Sequence, residues 1–228
     1  MSVKKAGAWW WIIAIFAFIA ASFLAEPYAL FNPALSRLEL NPAFPLHYPL
    51  LVAHVLLAAV AQIIGPFQFL NGLRARRPQL HRLLGRIYLL CILLGSISAV
   101  AIIIVSLSSF ERRAGFAVLA ILWLLSAGQA YRAIRQRRIQ DHRTWMIRNY
   151  AITLVAAMAR VMSVFSVLLL LPQRNTTFAG HFDLLLAQAM ETGFWIALVL
   201  NILFAEWLIL SRRKRLDRQQ ATEAREVA

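Results

Sequence analysis

The chain is short of charge, short of acid and almost free of cysteine. Its one cysteine, Cys91, lies inside an apolar run, which excludes an intramolecular disulfide, a cysteine-based zinc site and a CxxC redox pair. Only 15% of the 228 residues are charged against 61% hydrophobic, and the mean hydropathy of +0.64 is too apolar for an average soluble domain. Asp and Glu number 10 against 24 Lys and Arg, a net charge of +14. A soluble nucleic-acid binder needs such charge on one continuous face. Here it sits in short clusters between long apolar runs, so nucleic acid is not an expected partner. Soluble-enzyme motifs are missing as well: the sequence has no GxSxG, P-loop, HExxH or dinucleotide fingerprint.

What the chain does have is apolar sequence of bilayer length. A membrane-crossing helix needs roughly 20 mainly apolar residues, and six windows qualify: 6–25, 48–73, 83–110, 114–131, 144–171 and 192–210. The runs are continuous rather than alternating, and lipid offers backbone groups no partner outside the helix. The predicted fold is therefore all-α, a polytopic bundle of six transmembrane helices over residues 1–211, with a basic tail 212–228 expected to fray. The first window exceeds a signal-peptide core and ends at Glu26-Pro27 without a clear cleavage site, so it reads as an uncleaved helix.

Seventeen Lys and Arg fall on one side of this topology, and four (Arg37, Arg112, Arg113 and Arg174) fall on the other. That asymmetry predicts that both termini are cytoplasmic, in a cell inner membrane. The basic face is expected to meet anionic lipid headgroups. Residues 26–47 form the longest external connection, and their four prolines forbid one continuous helix; the segment is expected to lie along the outer surface. Gly65-Pro66 predicts a kink in the second span.

Two basic junctions repeat. RARRPQLHR (Arg74–Arg82) aligns with RQRRIQDHR (Arg135–Arg143) at an offset of 61, identical at six of nine positions. If this is a structural repeat, spans two-three and four-five are parallel hairpins about an axis near the membrane normal, with His81 and His142 at equal depth.

Polar side chains within the apolar windows mark candidate sites, because a bilayer-centre charge costs at least ~2.5 kcal/mol. Arg86, Arg148 and Glu206 all fall ~6 Å inside one boundary. Equal depth permits Glu206 to pair with Arg86 or Arg148, while snorkelling explains the arginines equally well. Arg160 lies 16 residues beyond Thr144 and is expected to face the interior, with His54 and Asn201 as candidate neighbours. It reads either as a cation awaiting an anionic ligand or as an arginine bonded to helix carbonyls and Asn201. Of the other histidines, His47 and His181 are expected to be solvated. His81 and His142 open the third and fifth spans, where a facing pair of neutral imidazoles can ligate haem iron axially. Continuation of a headgroup-binding basic loop accounts for them as well.

The segments LHRLLGRIYLL (Leu80–Leu90), DHRTWMIRNYAITL (Asp141–Leu154) and NILFAEWLI (Asn201–Ile209) resemble a family of predicted multi-pass membrane proteins, domain of unknown function 2306, over roughly Tyr48–Leu210. That family implies a membrane fold and no established activity. Leu80, His81, Leu84 and Gly85 are also similar to the Leu-His-x-x-Leu-Gly segment of cytochrome b561, a six-helix haem-b carrier whose third-helix histidine shares a haem with one on the fifth. That resemblance implies haem b on His81 and His142. Its second haem needs histidines on helices two and four; His54 is present, but residues 114–131 contain none, which leaves at most one haem site and no other metal.

Three functions remain open from sequence. One is a redox protein binding one haem b between the third and fifth spans and exchanging electrons with a quinone. Another is a transporter or lipid-binding protein using Arg160, Gln129 and Asn201 around a polar cavity. The third is a non-catalytic membrane subunit. No catalytic residue is assigned.

Overall fold

The computed structural model describes residues 7–227. Lys4 and Lys5, counted in the charge asymmetry, and Ala6, which opens the first window, lie outside the described residues. The described chain is helical without strands: α1 (Ala8–Ala29), α2 (His47–Gln68), a short α3 (Asn71–Arg76), α4 (Pro78–Val105), α5 (Phe110–Arg135), α6 (Ile139–Thr153), α7 (Val155–Leu170) and α8 (Phe182–Val227). Six helices are long and apolar enough to cross a bilayer: α1, α2, α4, α5, α7 with its following turn, and α8.

Four helices form a closed ring. α2 packs on α4, α4 on α5, α5 on α6, and α6 back on α2, so α4 and α6 occupy one diagonal of a four-helix core and α2 and α5 the other. The fourfold arrangement follows the sequence repeat, since α4 opens at Pro78 and α6 at Ile139, the same offset of 61. α1 lies against α2, while α8 packs along α7 and touches α6.

The predicted fifth span consists of two helices. Thr153 spends its hydroxyl on the Asn149 carbonyl at 2.9 Å, the back-bonding that bends helices, and the α6–α7 junction follows at Leu154. In α2, Pro66 has no N–H for the Gln62 carbonyl. Tyr150 Oη of α6 donates to that orphaned oxygen at 3.1 Å, and the ring reaches it only because residue 65 is glycine: a Cβ there would lie 2.0 Å from Tyr150 Cε2.

The connection 30–46 keeps most of its residues exposed and is tied to the bundle where Leu38 and Leu40 pack with Tyr28, Leu51, Val52 and Ile102 and Asn41 Nδ2 donates to the Val105 carbonyl at 2.9 Å. Two expectations are corrected. His47 is buried, not solvated, because its Nδ1 accepts the Asn41 backbone N–H at 2.9 Å. The tail does not fray at Ser211, as α8 continues through it to Val227 on Arg, Lys, Gln, Ala and Glu, all good helix formers.

Candidate functional site

Tyr88 of α4 and Asn149 of α6 are both fully buried and meet across the core diagonal. Tyr88 Oη donates to Asn149 Oδ1 at 2.7 Å, and Asn149 Nδ2 donates to the Trp123 carbonyl at 2.9 Å and to Ser126 Oγ at 2.8 Å. Thr153 Oγ1 lies 3.0 Å from Tyr88 Oη and accepts from Trp123 Nε1 at 2.8 Å. Both protons and the carbonyl oxygen of the Asn149 amide are thus used, which is what a polar network in a bilayer requires.

The two candidate histidines stand above this junction. Seven residues separate His81 from Tyr88, and seven separate His142 from Asn149. Two helical turns, roughly 10 Å, therefore carry each histidine toward the arginine-rich end on the same helix face. His81 and His142 therefore occupy equivalent positions on α4 and α6. His142 Nδ1 is pinned by the Ala130 carbonyl of α5 at 2.9 Å. His81 Nδ1 is buried with no partner among the described residues, as are Arg143 Nε and Gln68 Nε2.

The Gln68 amide reaches α4 one turn below His81, where its Oε1 is 3.3 Å from the Cβ position of Gly85. Burial and the neighbouring Arg143 charge hold the Arg74 guanidinium below its ordinary pKa. The arginine-rich end therefore carries two imidazoles, two guanidiniums and an amide donor, with Asp141 of the same end paired to Arg138. No group of three or more His, Cys, Asp or Glu suited to a metal ion occurs among the described residues.

The other sequence candidates scatter. Glu206 pairs with Arg148, Nε to Oε1 at 2.6 Å and Nη2 to Oε2 at 3.0 Å, and Arg148 stacks on Trp145 at 4.7 Å. The pair lines a cavity of about 220 Å³ between α5, α6 and α8, with Ser126, Ile152 and Ile202 among its walls. Arg86 is not buried and takes no part; it is exposed, one turn from Arg82 and free to snorkel. His54 does not approach Arg160, because its Nδ1 lies 2.8 Å from the Gly95 carbonyl of α4. Asn201 is buried with Nδ2 unpartnered, and Gln129 is half-buried.

Arg160 is exposed rather than buried. It lies within the α7 span, Val155–Gln173.

Fold and site together define a multi-pass helical membrane protein with a four-helix core and a polar diagonal. The family described as Predicted membrane protein (DUF2306) matches residues 51–209, and the chain belongs to it. No curated protein and no solved structure matches the chain.

Sequence reasoning that searched for charges and histidines missed Tyr88, Asn149, Thr153, Trp123, Ser126 and Gln62. Asn149, Thr153 and Gln62 carried a signal, each an uncharged polar residue inside an apolar window. Tyr88 and Trp123 carried none, because aromatic residues in such windows read as ordinary packing.

Proposed function

We propose that this membrane protein binds one haem b across the core diagonal, with His81 of α4 and His142 of α6 as axial ligands, and serves as a one-electron carrier. The observation that carries the reading is the register of the two histidines, each seven residues, two helical turns, from its own helix's member of the direct Tyr88–Asn149 contact on diagonal helices. Facing helices of a four-helix bundle are where cofactors are held. Haem, when bound, supplies a reversible one-electron couple whose potential follows its axial ligands and surroundings.

The donor chemistry fits that group. The Ala130 carbonyl on His142 Nδ1 fixes the tautomer with the proton on Nδ1, leaving Nε2 as the free lone pair, the arrangement metal-ligating histidines use. His81 Nδ1 has no competing bond. Arg74, Arg143 and Gln68 offer cationic and amide donors for carboxylates, and the buried Arg143 Nε and Gln68 Nε2 have no protein acceptor to displace. The core below is filled by Tyr88, Tyr150 and Asn149, which keeps water from following the ligand inward. The likeness of Leu80–Gly85 to cytochrome b561 supports the same pair.

In this reading the arginine-rich end faces the cytoplasm of a cell whose inner membrane holds the protein, its arginines also contact anionic headgroups, and a lipid-soluble quinone is the electron partner. The test is an absorption spectrum of protein purified from haem-replete cells. The expected result is a low-spin Soret band and a sharpened α-band on reduction, abolished or converted by His81→Ala or His142→Ala and unchanged by His54→Ala. A colourless protein, or a spectrum indifferent to both histidines, refutes the reading.

A further inference from the structure

We infer that the cavity between α5, α6 and α8 is a quinone-binding site, which takes the neutral carbonyl-bearing ring into the bundle and leaves the hydrocarbon tail in the bilayer. For the class of ligand the inference rests on the electron-carrier reading; for the place it rests on the cavity and the Arg148–Glu206 pair. α8 packs along α6 and only lightly on α5, which leaves between them the gap that Ser126, Trp145, Arg148, Ile202 and Glu206 line.

Size selects the ligand first. The cavity's volume of about 220 Å³ falls short of the ~300 Å³ at which pockets enclose a whole drug-sized molecule. It accommodates one substituted ring, and the rest of the molecule leaves at the rim, where Leu125 is exposed. The flanking helices α5 and α8 are both long and apolar enough to cross a bilayer, so a departing tail enters hydrocarbon rather than water. Apart from the ion pair and Ser126 the walls are apolar, Ile152 and Ala205 among them. Apolar walls with a few convergent polar groups, set between the helices of a bundle, are the usual makeup of a small-molecule site.

Polarity selects it further. Arg148 spends its Nε proton and one Nη2 proton on the two oxygens of Glu206, which neutralises the guanidinium and fixes its plane, already stacked on Trp145 at 4.7 Å. The Nη1 protons and the second Nη2 proton have no acceptor among the described residues. Arg148 and Glu206 are the two charged residues among the walls, so the cavity offers donors without net charge. A carbonyl oxygen meets that requirement, whereas a phosphate or carboxylate has to compete with Glu206 for the guanidinium. Both side chains stay partly accessible, and polar groups facing hydrocarbon are costly until an acceptor covers them. Ser126 is already spent: its hydroxyl donates to the Leu122 carbonyl at 2.7 Å and accepts from Asn149 Nδ2 at 2.8 Å. Through the second bond the cavity wall is continuous with the Tyr88–Asn149 network. Trp145 and Arg148 follow His142 by three and six residues on α6, one to two turns from the proposed ligand.

Full-length protein in a neutral detergent is titrated with decylubiquinone, with hexadecane as a tail-only probe and phosphatidylcholine as a lipid probe, reading the thermal midpoint. The expected result is a saturable rise with the quinone and none with hexadecane. Arg148→Gln should weaken the apparent affinity about 10- to 100-fold, the loss expected for a hydrogen bond from a charged donor. Leu125→Trp, which fills the rim from an exposed position, should weaken it comparably. Leu124→Trp, at the exposed neighbour that does not line the cavity, should leave it unchanged. Should Arg148→Gln fail to fold, Leu125→Trp carries the test. No saturable rise in the wild type, a folded Arg148→Gln or Leu125→Trp variant with wild-type affinity, or an equal and competing rise with phosphatidylcholine overturns the proposal. The readout needs no haem. A colourless protein that binds the quinone through Arg148 and Leu125 keeps the site and loses the carrier, and a haem-bearing protein indifferent to quinone keeps the carrier and loses the site.

Discussion

Tyr88 and Asn149, joined at 2.7 Å, stand 61 positions apart, the same interval that separates His81 from His142. The internal repeat therefore does more than duplicate a basic loop. It places equivalent residues of α4 and α6 opposite one another along the core diagonal, as a pseudo-twofold axis along the bundle requires. The flanking helices obey the same interval. Tyr150 donates to the Gln62 carbonyl of α2 and Asn149 to the Trp123 carbonyl of α5, and those two carbonyls are also 61 residues apart. What differs between the halves is chemistry: tyrosine faces asparagine, and Gln62 is matched by Trp123.

That junction should behave as a coupled unit. Tyr88→Phe removes the one donor to Asn149 Oδ1 among the described residues, and an unsatisfied buried polar group costs ~1–3 kcal/mol. Asn149→Leu conserves bulk and removes the acceptor side of the bond, and combining it with Tyr88→Phe removes both. Thermal or chemical unfolding in detergent should show each single variant destabilised and the double variant losing at least ~1 kcal/mol less than the sum, the signature of direct contact. Strict additivity would contradict the observed network.

Glu206 and Arg148 form a bidentate pair, but their side chains keep 39% and 31% of their surface accessible. The loss on Glu206→Gln is therefore set by charge-assisted hydrogen bonds, ~1.5–3 kcal/mol, and not by the larger penalty of a sealed buried charge. Arg148→Gln should be non-additive with Glu206→Gln. Arg86→Gln should be near neutral and additive with both, and a midpoint series across the wild type, the three single variants and their three pairwise combinations decides it.

The number of apolar spans and their approximate positions were legible in the sequence because continuous hydrophobicity has one solution in lipid. Glu206 was narrowed to two partners by counting residues from a common boundary, and only the direction of the Arg148 side chain could choose between them. Arg160 was expected to face the bundle interior and is exposed, because which side of α7 packs is set by helix adjacency and not by hydropathy. His47 was misjudged because its partner Asn41 lies in a proline-rich segment whose path depends on tertiary packing. The ring of four helices is a property of helix adjacency, which hydropathy does not encode.

Orientation rests on the 17-to-4 distribution of Lys and Arg and on no contact within the bundle. Reporter fusions after Gln136 and after Arg215 should both give cytoplasmic signals, and a fusion after Asn175 an external one. A periplasmic signal at Gln136 would invert the bundle and put the histidine cluster outside, and opposite signals at Gln136 and Arg215 would remove a span.

Gly65 and Gly128 offer a contrast in which the same substitution should have opposite effects. At Gly65 an added Cβ lies 2.0 Å from Tyr150 Cε2 and 2.9 Å from Cζ, and the ring cannot simply swing away because its hydroxyl serves the carbonyl orphaned by Pro66. Gly65→Ala must either push α2 from α6, at the ~1–3 kcal/mol typical of overpacking, or strand that carbonyl at a further ~1–3 kcal/mol. At Gly128, in the middle of α5, nothing lies within 4 Å of the new Cβ, so Gly128→Ala gains helix propensity of up to ~1 kcal/mol. Unfolding midpoints should therefore fall for the first variant and hold or rise for the second. Combining Gly65→Ala with Tyr150→Leu should recover part of the overpacking loss but not the carbonyl's bond, so the double variant should sit between Gly65→Ala and wild type. A double variant no better than Gly65→Ala would mean that the clash is not with the Tyr150 ring.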